Sequence, residues 1–183
     1  MQKTFPILQT ERLSLRQPDQ RDTPALFAIH RDEAVMRYYG MEPFQTAQEA
    51  RDEIDWFRAL WTESTGIRWT ITLKEKDRYI GDAGFHKYEQ AHSRAELGYK
   101  LVKAHWGQGI MSEALTEVLK YGFATMGLNR IEALVDPRNI ASARLLEKLG
   151  FATEGILREY EFEREQFVDL AMMSLLKKEW QGQ

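Results

Sequence analysis

His105-Trp106-Gly107-Gln108-Gly109-Ile110-Met111-Ser112-Glu113-Ala114 sets two glycines one residue apart and starts a helical pattern directly after them. Met111, Ala114, Leu115, Val118, Leu119, Gly122, Phe123 and Met126 recur at three- and four-residue spacing, which predicts a helix with one buried face. Upstream, Arg94–Val102 alternates Ala95, Leu97, Tyr99 and Leu101 with Glu96, Gly98 and Lys100, which predicts a strand. The order is therefore strand, glycine turn, helix. Glycines let a backbone bend tightly and bring N–H groups close to a ligand. The first N–H groups of a helix lack internal partners and sit at the positive end of its dipole, where phosphate binds. The same spacing also suits a turn that merely joins a strand to a core helix. Neither common nucleotide signature is present: Ser112 stands where a dinucleotide fingerprint needs its third glycine, and no Gly-Lys-Ser/Thr closes the loop.

At 183 residues, the chain is expected to form one domain over 1–183, with a core at about 10–178. A hydrophobic share of 43% and a charged share of 29% suit a globular protein rather than a disordered one. The net charge of −3 argues against a broad nucleic-acid-binding surface. With no cysteine there is no disulfide, thiolate metal site or cysteine nucleophile, and the four scattered histidines form no metal-ligand motif. No apolar run reaches membrane-spanning length and no signal peptide is evident, so a cytoplasmic protein without nucleic-acid or membrane partners is expected.

In chain order, Arg12–Gln17 alternates as a first strand and Pro18-Asp19 breaks it. Asp22-Thr23-Pro24 opens a helix through about Arg31, and Asp32–Tyr39 forms a short helical turn. Thr46 with Glu49 makes a capping box for a long helix that Gly66 ends, with Ile54, Phe57, Leu60 and Trp61 on its apolar face. Two strands, Arg68–Leu73 and Tyr79–His86, flank the charged turn Lys74–Arg78. After the glycine helix come a stop at Gly127-Leu128-Asn129 and a strand at Arg130–Val135. A helix capped by Asn139 and closed by Gly150 follows, and Phe151 opens a further strand. Tyr160–Phe167 and Val168–Leu176 are expected as two arms of a last hairpin. Glu159, Glu161, Glu163 and Glu165 mark a solvated strand face there or a cluster of carboxylates for a cationic ligand.

Five stretches, in order along the chain, resemble the GCN5-related N-acetyltransferases, and within them the ribosomal-protein N-terminal acetyltransferases of the RimJ/RimL type. They are Thr10-Glu11-Arg12-Leu13-Ser14-Leu15-Arg16, Ala95-Glu96-Leu97-Gly98-Tyr99, Trp106–Ala114, Asn139–Phe151 and Phe167-Val168-Asp169. The resemblance implies an α+β (α/β) fold with a mixed, mostly antiparallel seven-strand sheet, flanked by helices and splayed where two central strands part. It implies acetyl-CoA as cosubstrate, held by Leu101, Val102, Lys103, Trp106, Gly107, Gln108, Gly109, Ile110, Met111, Ser112, Asn139 and Arg144. The acceptor it implies is a protein or peptide N-terminus, with a small amine (polyamine, amino acid or antibiotic) as the alternative and a non-catalytic acyl-CoA-binding module as the alternative of another class. Monomer and homodimer both stay open.

Two positions depart from the family pattern. The motif Gln/Arg-x-x-Gly-x-Gly/Ala reads Trp106-Gly107-Gln108-Gly109-Ile110-Met111, so its first and last residues differ. Many relatives place a tyrosine acid seven residues after the asparagine, where this chain has Leu146; Ser142 is the hydroxyl this subfamily would offer instead, or simply a first-turn helix residue. The chemistry follows from coenzyme A. Its pyrophosphate suits the amides of Gly107–Ser112. Lys103, His105, Arg138, Arg144 and Lys148 stand near the two helix-opening turns, as charge partners or as plain surface cations. An extended pantetheine arm suits the edge of Glu96–Val102, and an N–H near Tyr99–Leu101 suits the thioester oxygen. Glu96 is the expected base, acting through water, unless it only solvates a strand face. Without cysteine, direct transfer is favoured over a covalent acyl-enzyme. Trp56, Trp61, Trp69, Tyr38 and Tyr39 are read either as core or as walls of an acceptor cleft.

Overall fold

The computed structural model describes residues 4–181. Eight strands form one sheet: β1 Leu8–Gln9, β2 Leu13–Arg16, β3 Ile67–Leu73, β4 Lys76–Glu89, β5 Arg94–Leu101, β6 Arg130–Val135, β7 Ala152–Glu163 and β8 Gln166–Leu176. Their spatial order is β1-β2-β3-β4-β5-β6-β8-β7. Five helices flank it: α1 Thr23–His30, α2 Glu33–Met36, α3 Ala47–Thr62, α4 Ile110–Ala124 and α5 Ile140–Lys148. The eighth strand, one more than expected, is β1. Its two residues pair Leu8 with Leu15 and Gln9 with Ser14, and so short a strand leaves no alternation to read.

Every neighbouring pair is antiparallel except β5 and β6. Those two pair in parallel only through Arg94–Arg130, Ala95–Ile131 and Glu96–Glu132. Beyond Glu96 the strands diverge, and the sheet is splayed at its centre as expected. Val102 N–H donates to the Ile80 carbonyl at 2.8 Å. By the alternation of an antiparallel ladder, Tyr99 and Leu101 therefore turn their backbone N–H and C=O groups away from β4, toward the opening.

The two faces of the sheet bury different chemistry. On one, Trp69, Ile71, Phe85, Leu97 and Leu101 pack beneath Ala114, Leu115, Val118, Leu119 and Phe123 of α4. Gly122 allows that approach, since a Cβ there would lie 2.8 Å from the Phe85 ring. On the other, Leu26, Ile29, Ile54 and Phe57 of α1 and α3 cover a floor that is largely polar. Arg68, Thr70, Asp82 and Lys100 point into that layer and are buried. Asp82 accepts from Arg68 Nε at 2.7 Å and from the Tyr79 hydroxyl. Lys100 Nζ lies 2.9 Å from Glu53 and 3.3 Å from Asp82, and His30 Nε2 lies 2.7 Å from Glu53. Burial works to raise the Glu53 pKa, but Lys100 and His30 outweigh it and hold the carboxyl down to about 2.

Local signals fix most helix ends. Glu49 accepts from Thr46 N–H at 2.7 Å, and Asn139 Oδ1 accepts from Ser142 N–H at 3.1 Å. Gly150 adopts φ +95. Three boundaries differ from expectation. Helix α3 stops at Thr62 rather than at Gly66, whose lack of a side chain serves the sheet: a Cβ there would sit 2.3 Å from the Phe85 carbonyl oxygen. The last hairpin turns at Arg164-Glu165, inside the expected arm Tyr160–Phe167. Both turn residues take positive φ (47 and 63) without glycine or asparagine, so no turn signal appears in the sequence. Likewise β4 begins at Lys76, which shortens the expected turn Lys74–Arg78. Among the described residues, no helix is long and apolar enough to cross a membrane.

Removing one partner from a buried ionic group leaves uncompensated charge, at a cost of about 3–5 kcal/mol. Asp82→Ala takes the carboxylate from Arg68 and leaves Lys100 to Glu53 alone, so it is expected to destabilise the protein by about that much, lowering the melting midpoint by roughly 2–4 °C per kcal/mol at this chain length. Thermal and urea melts of parent and variant check this; a loss below about 1 kcal/mol, the level of an exposed ion pair, would show that water compensates the floor.

Candidate active site

A cleft of about 1400 Å³ opens where β5 and β6 part. Of the residues expected from sequence, it gathers Glu96, Leu101, Lys103, Trp106, Gly107, Gly109, Ile110, Met111, Ser112, Asn139 and Ser142 along its walls. His105, Arg138 and Lys148 also line it. Three expected residues stand outside its lining. Val102 packs against the α1–α3 cluster. Gln108 turns its side-chain amide to the Ala104 carbonyl at 2.9 Å, and Arg144 is exposed. Trp56, Tyr38 and Tyr39 line the cleft, whereas Trp61 and Trp69 are core.

The glycine turn is built for a close backbone approach. Gly107 and Gly109 take φ +72 and +75, in the left-handed region that side chains resist. Gly109 caps α4, so the first-turn N–H groups of a 15-residue helix open into the cleft. The turn is braced from behind by the bend between β1 and β2. Glu113 accepts from the Arg12 N–H at 2.9 Å, from Arg12 Nε at 2.6 Å and from the Thr10 hydroxyl. Arg12 Nη1 donates to the Gln108 carbonyl at 3.0 Å. The opening stretch Thr10–Arg16 thus acts on the turn through Glu113. Trp106 Nε1 donates to the Leu101 carbonyl at 2.8 Å and closes the end of the β5 edge.

Glu96 and Tyr99 lie three residues apart on β5 and so face opposite sides of the sheet. Glu96 points to the α3 side. Its carboxylate accepts from His86 Nε2 at 3.1 Å and from Lys87 Nζ at 2.9 Å. Burial raises its pKa, but the hydrogen bonds from His86 and Lys87 outweigh that and hold it below the usual value. Glu96 is therefore ionised at neutral pH and is a weak base. Trp56 stands edge-on to the His86 ring at 6.2 Å. On the other side, the Tyr99 hydroxyl lies 2.6 Å from Ser142 Oγ. Leu146, at the position where relatives keep a tyrosine, is fully buried.

His86, Lys87 and the Tyr99 hydroxyl escape notice in the sequence. Tyr99 sits in a quoted stretch, but alternation marks it only as an inward strand residue. Its partner is 43 positions away and no local spacing joins them. At the outer end of the cleft, Glu161 and Glu163 converge on Gly40, where a Cβ would lie 3.6 Å and 3.0 Å from their carboxylate oxygens. Burial and the neighbouring Glu161 and Asp136 raise the Glu163 pKa.

The acetyltransferase (GNAT) domain model matches residues 12–152. The uncharacterized N-acetyltransferase YoaA of Bacillus subtilis is 43% identical over 94% of this chain and 98% of its own length. The [ribosomal protein uS5]-alanine N-acetyltransferase of Escherichia coli is 28% identical over 94% of this chain and 92% of its own. The crystal structure of spermidine N-acetyltransferase from Vibrio cholerae, in complex with CoA and spermine, superposes with a TM-score of 0.80 at 23% identity, over 91% of this chain and 96% of that one. With its glycine turn opening a helix beside a splayed central strand, the chain belongs to the GNAT acetyltransferase family, as an acetyl-CoA-dependent N-acetyltransferase.

Proposed function

We propose that the acceptor is the N-terminal α-amino group of a protein or peptide, as in the RimJ/RimL type. The observation that carries this is the state of Glu96. A carboxylate held below its usual pKa by His86 and Lys87 removes protons poorly. An α-amino group has a pKa of about 7.7–8.0 and is partly neutral at pH 7, whereas a lysine-type amine near 10.4 is almost wholly protonated. A weak, permanently ionised base suits the first. The kinship to the uS5-alanine enzyme of Escherichia coli supports the same acceptor class.

In this reading acetyl-CoA supplies the activated acetyl group and a thiol leaving group. The turn Gly107–Ser112 holds the pyrophosphate by backbone N–H groups, with Lys103 nearby. The free edge of β5 pairs with the pantetheine amides, and a Tyr99 or Leu101 N–H meets the thioester oxygen as it gains charge. The amine enters from the α3 side, past Tyr38, Tyr39 and Trp56. Glu96 takes its proton, directly or through water, while Ser142 donates to the departing sulfur on the other side. That thiolate has a pKa of about 8.5, so a weak donor suffices. A polyamine acceptor is the second reading. The convergence of Glu161 and Glu163 on Gly40 favours it, because two carboxylates in one place suit a second ammonium.

Thiol release from acetyl-CoA over a panel of N-terminal peptides, polyamines and aminoglycosides tests the acceptor. Peptides are expected to be the best substrates; higher kcat/KM for spermidine would move the assignment to the second reading. Glu96→Gln is expected to lower kcat by roughly a hundredfold or more, the scale of a positioned base, while acetyl-CoA affinity holds. Because Glu96 titrates below neutrality, the acidic limb near pH 7–8 should stay where the amine sets it; parental turnover would reduce Glu96 to a solvated strand residue. Gly109→Val forces a β-branched residue to positive φ in the turn, and calorimetric titration should show acetyl-CoA binding severely weakened in a folded variant. Unchanged affinity would remove the pyrophosphate from this turn.

A further inference from the structure

The hydrogen bond between the Tyr99 hydroxyl and Ser142 Oγ spans the splay, from β5 to the first turn of α5, and both residues line the cleft. We propose that Tyr99 is a positioning residue for acetyl transfer: it donates to Ser142 Oγ, which leaves the Ser142 proton free to point at the departing sulfur.

This rests on the role given to Ser142 above and adds a second hydroxyl behind it. Ser142 N–H is already bound to Asn139 Oδ1, so the backbone of this residue is fixed at the helix opening. Its hydroxyl has one proton to give and lone pairs to receive with. If that proton went to Tyr99, none would face the cleft. With Tyr99 as donor, the chain runs Tyr99 to Ser142 to sulfur, and each hydrogen bond polarises the next. The phenol suits the donor role, because burial pushes its pKa up to about 12, against the lowering effect of the Ser142 contact, so it keeps its proton throughout the neutral range. Leu146 fills the helix position one turn later with a buried aliphatic side chain, so a phenol reaches the same region from the strand instead.

The step balances as follows. The amine nitrogen bonds to the acetyl carbon, the C–S bond breaks and its electron pair goes to sulfur. Sulfur takes the Ser142 proton, and the Tyr99 hydrogen bond steadies the negative charge that appears on Oγ. Cleft water then reprotonates Ser142, and the proton lost by the amine leaves on the Glu96 side.

The test is a double-mutant cycle in single-turnover thiol release, with Tyr99→Phe, Ser142→Ala and the double variant, each checked for folding by melting. Tyr99→Phe keeps the ring and removes only the hydroxyl. It is expected to slow turnover about tenfold to a hundredfold, the scale of one hydrogen bond to a charged group, with acetyl-CoA affinity within about threefold. The double variant should be no slower than Ser142→Ala alone, since Tyr99 acts only through Ser142. Ser142→Thr, which keeps a hydroxyl, should retain more activity than Ser142→Ala. Four results would overturn the proposal: parental turnover in Tyr99→Phe, parental turnover in Ser142→Ala, losses that multiply in the double variant, or a Tyr99→Phe defect confined to acetyl-CoA affinity. If no amine in the panel reacts, the same cycle is read on thiol release during acetyl-CoA hydrolysis. That result would sink the N-terminal acceptor while still deciding the place of Tyr99.

Discussion

The parallel contact between β5 and β6 lasts three residue pairs and then ends, and the chemistry of the molecule depends on that ending. A central strand normally has both edges satisfied, and buried backbone groups seldom go unpaired. Here Tyr99 and Leu101 present their N–H and C=O groups to an opening. The chain tolerates this because the opening is a cleft reached by solvent, and because Trp106 covers the Leu101 carbonyl. A strand edge left free in the middle of a sheet can pair with an extended, amide-bearing molecule. It also lets donor and acceptor meet from opposite faces, since the gap is the one place where the two sides of the sheet communicate. The three-residue offset between Glu96 and Tyr99 turns their side chains to opposite sides of that gap.

The polar layer under α1 and α3 belongs to the same design. An apolar floor would bury more comfortably, because paired charges seldom repay their own desolvation. What the ion set of Arg68, Asp82, Lys100 and Glu53 supplies is fixed direction. It ties α3 to β3, β4 and β5 with several bonds of defined geometry, and Tyr39 joins it from the cleft wall through Arg68 at 3.0 Å and Lys100 at 3.3 Å. The cleft wall at Tyr39 is thereby held to the strand that carries Glu96. Gly98 takes part by omission, since a Cβ there would lie 2.5 Å from Arg68 Nη1.

What the sequence made legible follows from the range of each interaction. The glycine turn, the face of α4, the Thr46–Glu49 and Asn139 caps and the alternation of β5 and β6 are all local, so spacing alone announced them. Glu96 and Ser142 came forward through family resemblance, and the structure brings both to one cleft. The charge layer did not announce itself: Lys100 and Asp82 read as outward residues of alternating strands, and only the helix laid across them makes them interior. Tyr99 and Ser142 likewise meet through tertiary packing. The turn Arg164-Glu165 escaped for a different reason, because its residues adopt a glycine-like conformation without being glycine.

The brace between Arg12 and Glu113 joins residues 101 positions apart. Most of the glycine turn is local and can form as soon as α4 coils. Its final shape cannot, because the guanidinium that holds the Gln108 carbonyl belongs to Arg12, in the bend between β1 and β2. During synthesis that residue must wait for the 101 positions that separate it from Glu113 before it meets its partner. Contacts of such long sequence separation form late and slow the approach to the native state. The braced shape of the glycine turn is thus a property of the finished fold: a nascent or partly unravelled chain, even with its glycines and helix in place, holds the turn unbraced.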